Sequence, residues 1–331
     1  MLEQFQTEIM GYLNQFRISD FHIHSNRPIT YRVSGEITIV PTSNLSHEDL
    51  TTILKEIMDG DEWAHYETTG DLDFAIMIGD QRFRANAAQT MAGHALVLRV
   101  IVTEIPDVDM LGLPDAVHDV LTKKSGLVLV TGQTGSGKST SLAAMVDKIN
   151  TNRAENIITI EDPIEFVHKS KKSIVTQREV GRHTKSFASA LKGALRQDPD
   201  IILLGELRDY ETISMAMEAA ETGHLVFGTL HTSGAAETVN RIIDSYPAEE
   251  QSQARSQLSQ SLRLVLSQQL LPRRGGGRIG AFEVMVNVSA VANLIRENKI
   301  HQIASIMQTG ANHGMFTMEK YIELLTDQQL I

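Results

Sequence analysis

Short apolar runs alternate with amphipathic segments over the last two thirds of the chain. The apolar runs are Leu127–Thr131, Ile157–Ile160, Ile201–Leu204 and Leu225–Leu230. After the first run, apolar side chains recur at the i, i+3, i+4, i+7 spacing of an amphipathic helix, at Leu142, Met145, Val146 and Ile149. Short apolar strands separated by helices are typical of a parallel sheet. The pattern therefore predicts an α/β fold for this part of the chain.

The N-terminal part combines strand and helix patterns. Two β-rich runs, Ile29–Val33 and Ile37–Val40, flank Ser34-Gly35-Glu36, which predicts a hairpin. Ser46 and Asp49 form a helix-start pattern before the apolar residues Leu50, Ile53, Leu54 and Ile57. Further strands are predicted at Leu72–Met77, Gln81–Ala87 and Ala95–Ile101. We interpret this part as a smaller α+β domain.

A break in periodicity separates the two parts. The segment Thr103–Pro114 reads TEIPDVDMLGLP, and its two prolines and one glycine interrupt regular structure. We therefore predict an N-terminal domain at 1–102, a linker at 103–113 and a second domain at 114–331.

Composition narrows the classes of function. The chain has no cysteine, which excludes disulfides, thiolate catalysis and cysteine-based zinc sites. Its formal net charge of −11 disfavours direct nucleic-acid binding, and we interpret the basic clusters Lys169–Lys172 and Arg273–Arg278 as solvated loops. No signal peptide is recognisable, and no apolar run approaches the ~20 residues of a membrane span. We expect a cytoplasmic protein with no transmembrane segment.

A phosphate-binding loop follows the first apolar run. The residues Gly132, Gln133, Thr134, Gly135, Ser136, Gly137, Lys138 and Ser139 fit G-x-x-x-x-G-K-[ST], and Thr140 follows them. Glycines let backbone N–H groups approach phosphate oxygens, and the next helix adds its positive end. Lys138 would lie at the β- and γ-phosphates, and Ser139 would supply an oxygen to Mg²⁺. This motif predicts a site for Mg·ATP.

Two acidic elements follow later strands. Glu161, Asp162 and Glu165 come after the run Ile157–Ile160, where a carboxylate can serve as a general base for water. Each of the three could instead be a helix N-cap or a surface charge. Glu206 follows the run Ile201–Leu204, as in a Walker B element, and would hold Mg²⁺ through water. Because one predicted strand intervenes in sequence, we expect the Glu206 strand to lie beside the P-loop strand.

Two histidines flank the last of these apolar runs. His231 at its carboxyl end could sense the γ-phosphate or position water, and His224 precedes its amino end. Lone histidines are more often structural, and no zinc-binding pattern such as HExxH accompanies these two.

Together these segments resemble the secretion ATPase superfamily and, within it, the PilT-like type IV pilus retraction ATPases. The resemblance rests on GQTGSGKST, ITIEDPIEF, DPDIILLGELRD and AAETGHLVFGTLHT, and it covers almost the whole chain. The early segment SDFHIH from Ser19 and the segment YPAEE from Tyr246 are also similar to the family.

The resemblance implies a hexameric ring of subunits, each with a PAS-like N-terminal domain and a RecA-like ATPase domain. It implies that Glu165 is the catalytic carboxylate, that Glu206 is the Walker B acid, and that His224 and His231 form a histidine box at the nucleotide. It further implies that N-terminal arginines reach the nucleotide, at positions matching Arg82, Arg84 and Arg99. The implied function is retraction of type IV pili for twitching motility, with an inner-membrane platform protein as partner and a peripheral location at that membrane.

Two positions depart from the family pattern. The family's AIRNLIRE reads AVANLIRE here, so that Ala292 replaces an arginine, and an arginine of the NQNRG segment is missing where this chain has Ala92. The alternative functions are a pilus assembly or type II secretion ATPase, a nucleic-acid motor, and a non-hydrolysing regulator. The acidic balance opposes the second, and the intact set of Lys138, Glu165 and Glu206 opposes the third.

Overall fold

The computed structural model describes residues 1–33, 35–101 and 104–331, and it divides into two compact units, Met1–Thr103 and Glu104–Ile331. The predicted hairpin turn includes Ser34, and the predicted linker begins at Thr103; both residues lie outside the described ones. The remaining linker residues, 104–113, form no helix or strand. Val108 and Leu113 in this segment are buried in a core of the second unit.

The described residues of the first unit form an antiparallel sheet and three helices. The strand order is β3-β2-β1-β6-β5-β4. The strands are β1 (Ile18–His24), β2 (Arg27–Val33), β3 (Glu36–Leu45), β4 (Asp71–Ile78), β5 (Gln81–Thr90) and β6 (Gly93–Val100), and the helices are α1 (Leu2–Gln15), α2 (His47–Ile57) and α3 (Gly60–Thr69). The predicted strands and helix of this unit are confirmed.

Local sequence explains the start of α2. The Ser46 side chain accepts from the Asp49 N–H at 3.1 Å, and the Asp49 carboxylate accepts from the Ser46 N–H at 3.1 Å. This reciprocal capping box satisfies two N–H groups that the first turn leaves without partners. The apolar side chains of Leu50, Ile53 and Leu54 are then buried in the core of the unit.

The second unit is a seven-stranded sheet in the order β13-β12-β7-β11-β10-β8-β9. The strands are β7 (Gly126–Thr131), β8 (Asn156–Glu161), β9 (Ile174–Glu179), β10 (Ile201–Leu204), β11 (Leu225–Leu230), β12 (Leu262–Pro272) and β13 (Arg278–Val286). All neighbours pair in parallel except β12 and β13. The parallel core is confirmed, whereas β9, β12 and β13 were not predicted.

Helices cover both faces of this sheet. Leu127 and Leu129 of β7 enter one core, and Val128 and Val130 enter the other, as the two-residue period of a strand requires. The helices are α4 (Asp115–Val120), α5 (Lys138–Asn152), α6 (Phe187–Ala194), α7 (Tyr210–Glu221), α8 (Ala235–Asp244), α9 (Gln251–Ser261), α10 (Ser289–Arg296), α11 (Ile303–Thr309) and α12 (Met318–Asp327), with 3-10 turns at Ile300–Gln302 and Ala311–His313.

The position predicted for the Glu206 strand is wrong. Strand β10, which precedes Glu206, pairs with β11 and β8, and β11 lies between it and the P-loop strand β7. Strand order in a parallel sheet is set by the crossover connections, which sequence order alone does not specify. Glu206 nevertheless emerges at the same carboxyl edge of the sheet as the P-loop.

Candidate nucleotide-binding active site

The P-loop occupies residues 132–137, between the end of β7 and the start of α5. Gly132 and Gly137 have φ angles of +144° and +90°, a region that side chains disfavour. A Cβ added at Gly137 would lie 2.7 Å from the Gln268 side-chain nitrogen. Both glycines are therefore required by the backbone path of the loop.

Strand β12 holds this loop through a buried glutamine that sequence reasoning missed. The Gln268 amide donates to the Ser136 carbonyl at 2.7 Å, and its oxygen accepts from the Ser141 hydroxyl at 2.7 Å. One residue earlier, the hydroxyls of Ser267 and Thr131 lie 2.8 Å apart. The signal in the sequence that could have revealed this support is the pair of polar residues within a β-strand. Their partners, however, are more than 100 residues away in the sequence.

Lys138 is buried at the base of the P-loop, with 8% of its surface exposed. Its ammonium group donates to the carbonyls of Gly132 at 2.8 Å and Gln133 at 3.1 Å. Burial lowers the pKa of Lys138, and the negative charges of Glu206 and Glu165 oppose that shift. The two predicted carboxylates therefore act electrostatically on the P-loop lysine.

A cavity of about 400 Å³ opens beside the P-loop. Its lining brings together most of the predicted site residues, namely Thr134, Gly135, Gly137, Lys138, Ser139, Thr140, Glu161, Asp162, Glu165, Glu206 and His231. Gly132, Gln133 and Ser136 line an adjoining cavity of about 270 Å³. Arg278, at the start of β13, lines both cavities and was not predicted from the sequence.

Glu206 lies between Arg208 and His231 at the cavity wall. Its carboxylate lies 2.7 Å from the Arg208 guanidinium and 3.5 Å from His231 Nε2. Burial pushes the pKa of Glu206 upward, but the hydrogen bond and charge of Arg208, with further charges from His231 and Lys138, bring it below its usual value. Glu206 is therefore an ionised oxygen donor.

The oxygen donors of the cavity fit a magnesium ion only together with phosphate. Among the described residues, no three His, Cys, Asp or Glu side chains gather as a metal site. Mg²⁺ in nucleotide sites commonly takes one or two protein oxygens and completes its shell with water and phosphate. The Ser139 hydroxyl and the Glu206 carboxylate, which line one cavity, are such a pair.

The acidic segment after β8 is a loop rather than the start of a helix. Residues 162–168 have no helical or strand structure, and the next element is β9, so the N-cap alternative is wrong. Asp162 and Glu165 are exposed and line the cavity. Glu161 accepts from the Thr159 hydroxyl at 2.6 Å, and burial raises its pKa more than its hydrogen bonds lower it.

The structure does not bring His224 to this cavity. His224 precedes β11, whereas His231 follows its carboxyl end, and the two ends of a strand lie at opposite edges of a sheet. The His224 ring lies 2.9 Å from the Ala219 carbonyl, at the end of α7. His224 therefore does not line this cavity, and its predicted role at the nucleotide stays a prediction.

The predicted arginines belong to the first unit and share one face of its sheet. Arg82 and Arg84 lie two residues apart on β5, and Arg84 is directly opposite Arg99 on β6. Arg99 donates to Asp20 at 2.8 Å, and Arg84 lies 3.7 Å from Asp73. Their approach to nucleotide stays a prediction.

His168 ends the acidic loop as a buried, neutral imidazole. It is 9% exposed, and its Nδ1 has no hydrogen-bond partner among the described residues. Burial lowers its pKa from 6.5 to about 4. Between these values the unfolded chain binds a proton that the folded chain does not, so stability falls as pH drops through this window.

Replacing His168 by glutamine is expected to flatten that pH dependence. The ring alone accounts for about 3 kcal/mol of lost unfolding free energy between pH 6.5 and pH 4. Urea unfolding at several pH values measures the difference in slope between wild type and variant. The same substitution at the exposed His301 is the control, and equal slopes in all three proteins would refute the assignment.

Known proteins are similar in sequence to this chain over most of its length. Residues 2–324 match the family model described as type II/IV secretion system protein. The chain is 45% identical over 326 residues to the type IV pilus retraction ATPase PilT of Pseudomonas aeruginosa, covering 98% of this chain and 95% of the relative. It is 48% identical over 302 residues to a twitching motility protein of Neisseria gonorrhoeae, covering 91% and 81%.

A solved structure has the same fold. The crystal structure of the pilus retraction motor PilT with bound ADP superposes with a TM-score of 0.92 at 46% identity, covering 98% of this chain and 93% of that one. The predicted fold class, a RecA-like α/β core with a smaller α+β N-terminal domain, is confirmed. Among the residues that the structure describes, no helix is long and apolar enough to cross a membrane.

Proposed function

Since the chain belongs to the type II/IV secretion system protein family and is a type IV pilus retraction ATPase of the PilT type, we propose that it hydrolyses Mg·ATP in the P-loop cavity through Lys138, Glu165 and Glu206. The observation that carries this proposal is the convergence of these three side chains on one cavity. The negative charges of Glu206 and Glu165, which oppose the lowering of the Lys138 pKa by burial, support the proposal further.

The P-loop, Lys138 and Glu165 have distinct parts in the proposed reaction. The P-loop N–H groups and Lys138 bind the phosphates and neutralise charge that develops on the transferred phosphoryl group. Glu165 orients the attacking water and accepts its proton as the water oxygen bonds to the γ-phosphorus. The bond to the β–γ bridging oxygen breaks, and ADP and phosphate leave.

Residues around Glu206 serve the metal and the γ-phosphate. Ser139 and Glu206 would hold Mg²⁺, Glu206 through water, and the ion would supply charge neutralisation at the β- and γ-oxygens. His231, 3.5 Å from Glu206, is suited to respond to the γ-phosphate. Arg82, Arg84 and Arg99 would add positive charge at the nucleotide. Ala292 and Ala92, which depart from the family pattern, are not among the cavity residues.

The proposed motor is a closed ring that acts through a partner. We propose that six chains assemble, as the family resemblance implies, and that the ring works on a platform protein of the inner membrane. Light scattering of the purified protein with ATP tests the first part, with six times the 36.6 kDa chain mass as the expected result. Persistent monomers would contradict it.

Deletion of the gene tests the biological direction of the motor. We expect cells that carry excess surface pili and do not twitch, because pilus assembly continues without retraction. Electron microscopy and a twitching-zone assay are the measurements, with complementation by the wild-type gene as control. Cells without pili would instead assign the chain to pilus assembly, and an unchanged number of pili would contradict any role in pilus function.

A further inference from the structure

The acidic loop, residues 162–168, has to be held by side chains. It carries Glu165, but it forms no helix or strand, and no ladder of backbone hydrogen bonds fixes it. Backbone polar groups in such a segment need other partners where they are shielded from water. Two polar side chains of β9 supply these partners.

A carboxylate of β9 holds the middle of the loop. Glu179 is buried and accepts from the Ile164 N–H at 3.0 Å. The Glu165 N–H also acts on Glu161, at the end of β8, and lowers the pKa of that carboxyl against the larger rise that burial causes. The backbone is therefore attached to the sheet edge one residue before Glu165.

Gln177 of β9 holds the following turn of the loop through all of its polar atoms. Its oxygen accepts from the His168 N–H at 2.7 Å. Its nitrogen donates to the Phe166 carbonyl at 2.8 Å and to the Glu161 carboxylate at 3.1 Å. A primary amide offers two N–H donors and one carbonyl acceptor, and each is used here.

No other residue type of this size satisfies the same three partners. A glutamate keeps an acceptor for His168 but loses both donors when ionised, and a methionine loses all three hydrogen bonds. Leaving buried backbone groups unpaired costs more than the net value of a made hydrogen bond. The acidic loop would then shift to find new partners, and Glu165 would move with it.

We propose that Gln177 is a positioning residue that sets the backbone around Glu165 and thereby the place of the Glu165 carboxylate in the cavity. This inference rests on the proposed role of Glu165 in hydrolysis. Gln177 does not line the cavity itself, so its effect is exerted through the loop. Displacing a reacting group by about 1 Å can cost on the order of 100-fold in rate.

The first test compares Gln177→Met with wild type in steady-state ATP hydrolysis and in binding of fluorescent ADP. We expect kcat to fall roughly 10- to 100-fold, while ADP affinity and KM stay unchanged because the P-loop is untouched. Thr176→Val, at an exposed position of the same strand, is the matched control and should behave as wild type. A wild-type kcat in Gln177→Met, or an equal loss of ADP binding, would overturn the inference.

A double-variant cycle separates positioning from general stability. If Gln177 acts through Glu165, then Glu165→Gln and the double variant Glu165→Gln/Gln177→Met have the same residual rate. If the kcat losses of the two single variants multiply in the double variant, Gln177 acts independently of Glu165, and the inference is overturned. A wild-type rate in Glu165→Gln alone would instead remove Glu165 from the proposed chemistry, and the inference with it.

Gln177→Glu provides a second readout should Gln177→Met fold poorly. The new carboxyl group would lie beside Glu161, so one proton would be retained between them up to a raised pH. The protonated form can still donate a hydrogen bond, so kcat should recover as pH is lowered and fall as it is raised. Wild type has an amide at this position, so its kcat should not recover as pH is lowered. Parallel pH profiles for the two proteins would contradict the positioning role.

Discussion

Lys138→Met is expected to abolish both nucleotide binding and hydrolysis. The substitution keeps the length of the side chain but removes the ammonium group that donates to the Gly132 and Gln133 carbonyls. Those carbonyls lose their donor, and the carboxylates of Glu206 and Glu165 lose the nearby positive charge on which they act. We expect a fall of roughly 10³-fold or more in kcat/KM, since a single oxyanion donor is commonly worth 10²–10³.

Lys148→Met provides the matched control on the same helix. Lys148 pairs with Asp107 and Asp109 at the surface, where ion pairs contribute little to stability. ATP hydrolysis and fluorescent-nucleotide binding measure both variants. If Lys138→Met bound nucleotide as tightly as Lys148→Met, the cavity beside the P-loop could not be the phosphate site.

The phosphate site was predictable because its chemistry is local in sequence. A strand, a glycine loop and a helix are contiguous, and the positive φ angles of Gly132 and Gly137 follow from one short segment. The apolar runs likewise predicted four strands, since strands buried on both faces need continuous apolar residues. The capping pattern at Ser46 predicted a helix start for the same local reason.

Long-range pairing accounts for most of what the sequence did not reveal. Strand β9 carries Gln177 and Glu179, and β12 carries Ser267 and Gln268. These buried or partly buried polar residues interrupt the apolar pattern from which a strand is predicted. They are polar because they hold the acidic loop and the P-loop, whose contacts appear only after folding. His224 was predicted from the family resemblance alone, and the strand between it and His231 places the two side chains at opposite edges of the sheet.

Glu165→Gln is expected to stop hydrolysis while leaving nucleotide binding intact. Glutamine keeps the shape of the side chain and can still contact water, but it cannot accept the water proton. Loss of a general base typically costs 10²–10⁴-fold in rate, and we expect a fall in kcat within this range. Glu218→Gln, an exposed change on α7 away from the cavity lining, is the control and should leave kcat unchanged.

Nucleotide affinity distinguishes this result from that of Lys138→Met. The Glu165 carboxylate lines the cavity in which we propose that the phosphates bind, so removing its charge should relieve a like-charge repulsion. ATP should therefore bind Glu165→Gln at least as tightly as wild type, whereas Lys138→Met should not bind it. Single-turnover hydrolysis with bound ATP isolates the chemical step from nucleotide exchange. Rapid single-turnover cleavage by Glu165→Gln would assign the base to another group, and weakened ATP binding would place Glu165 among the binding residues instead.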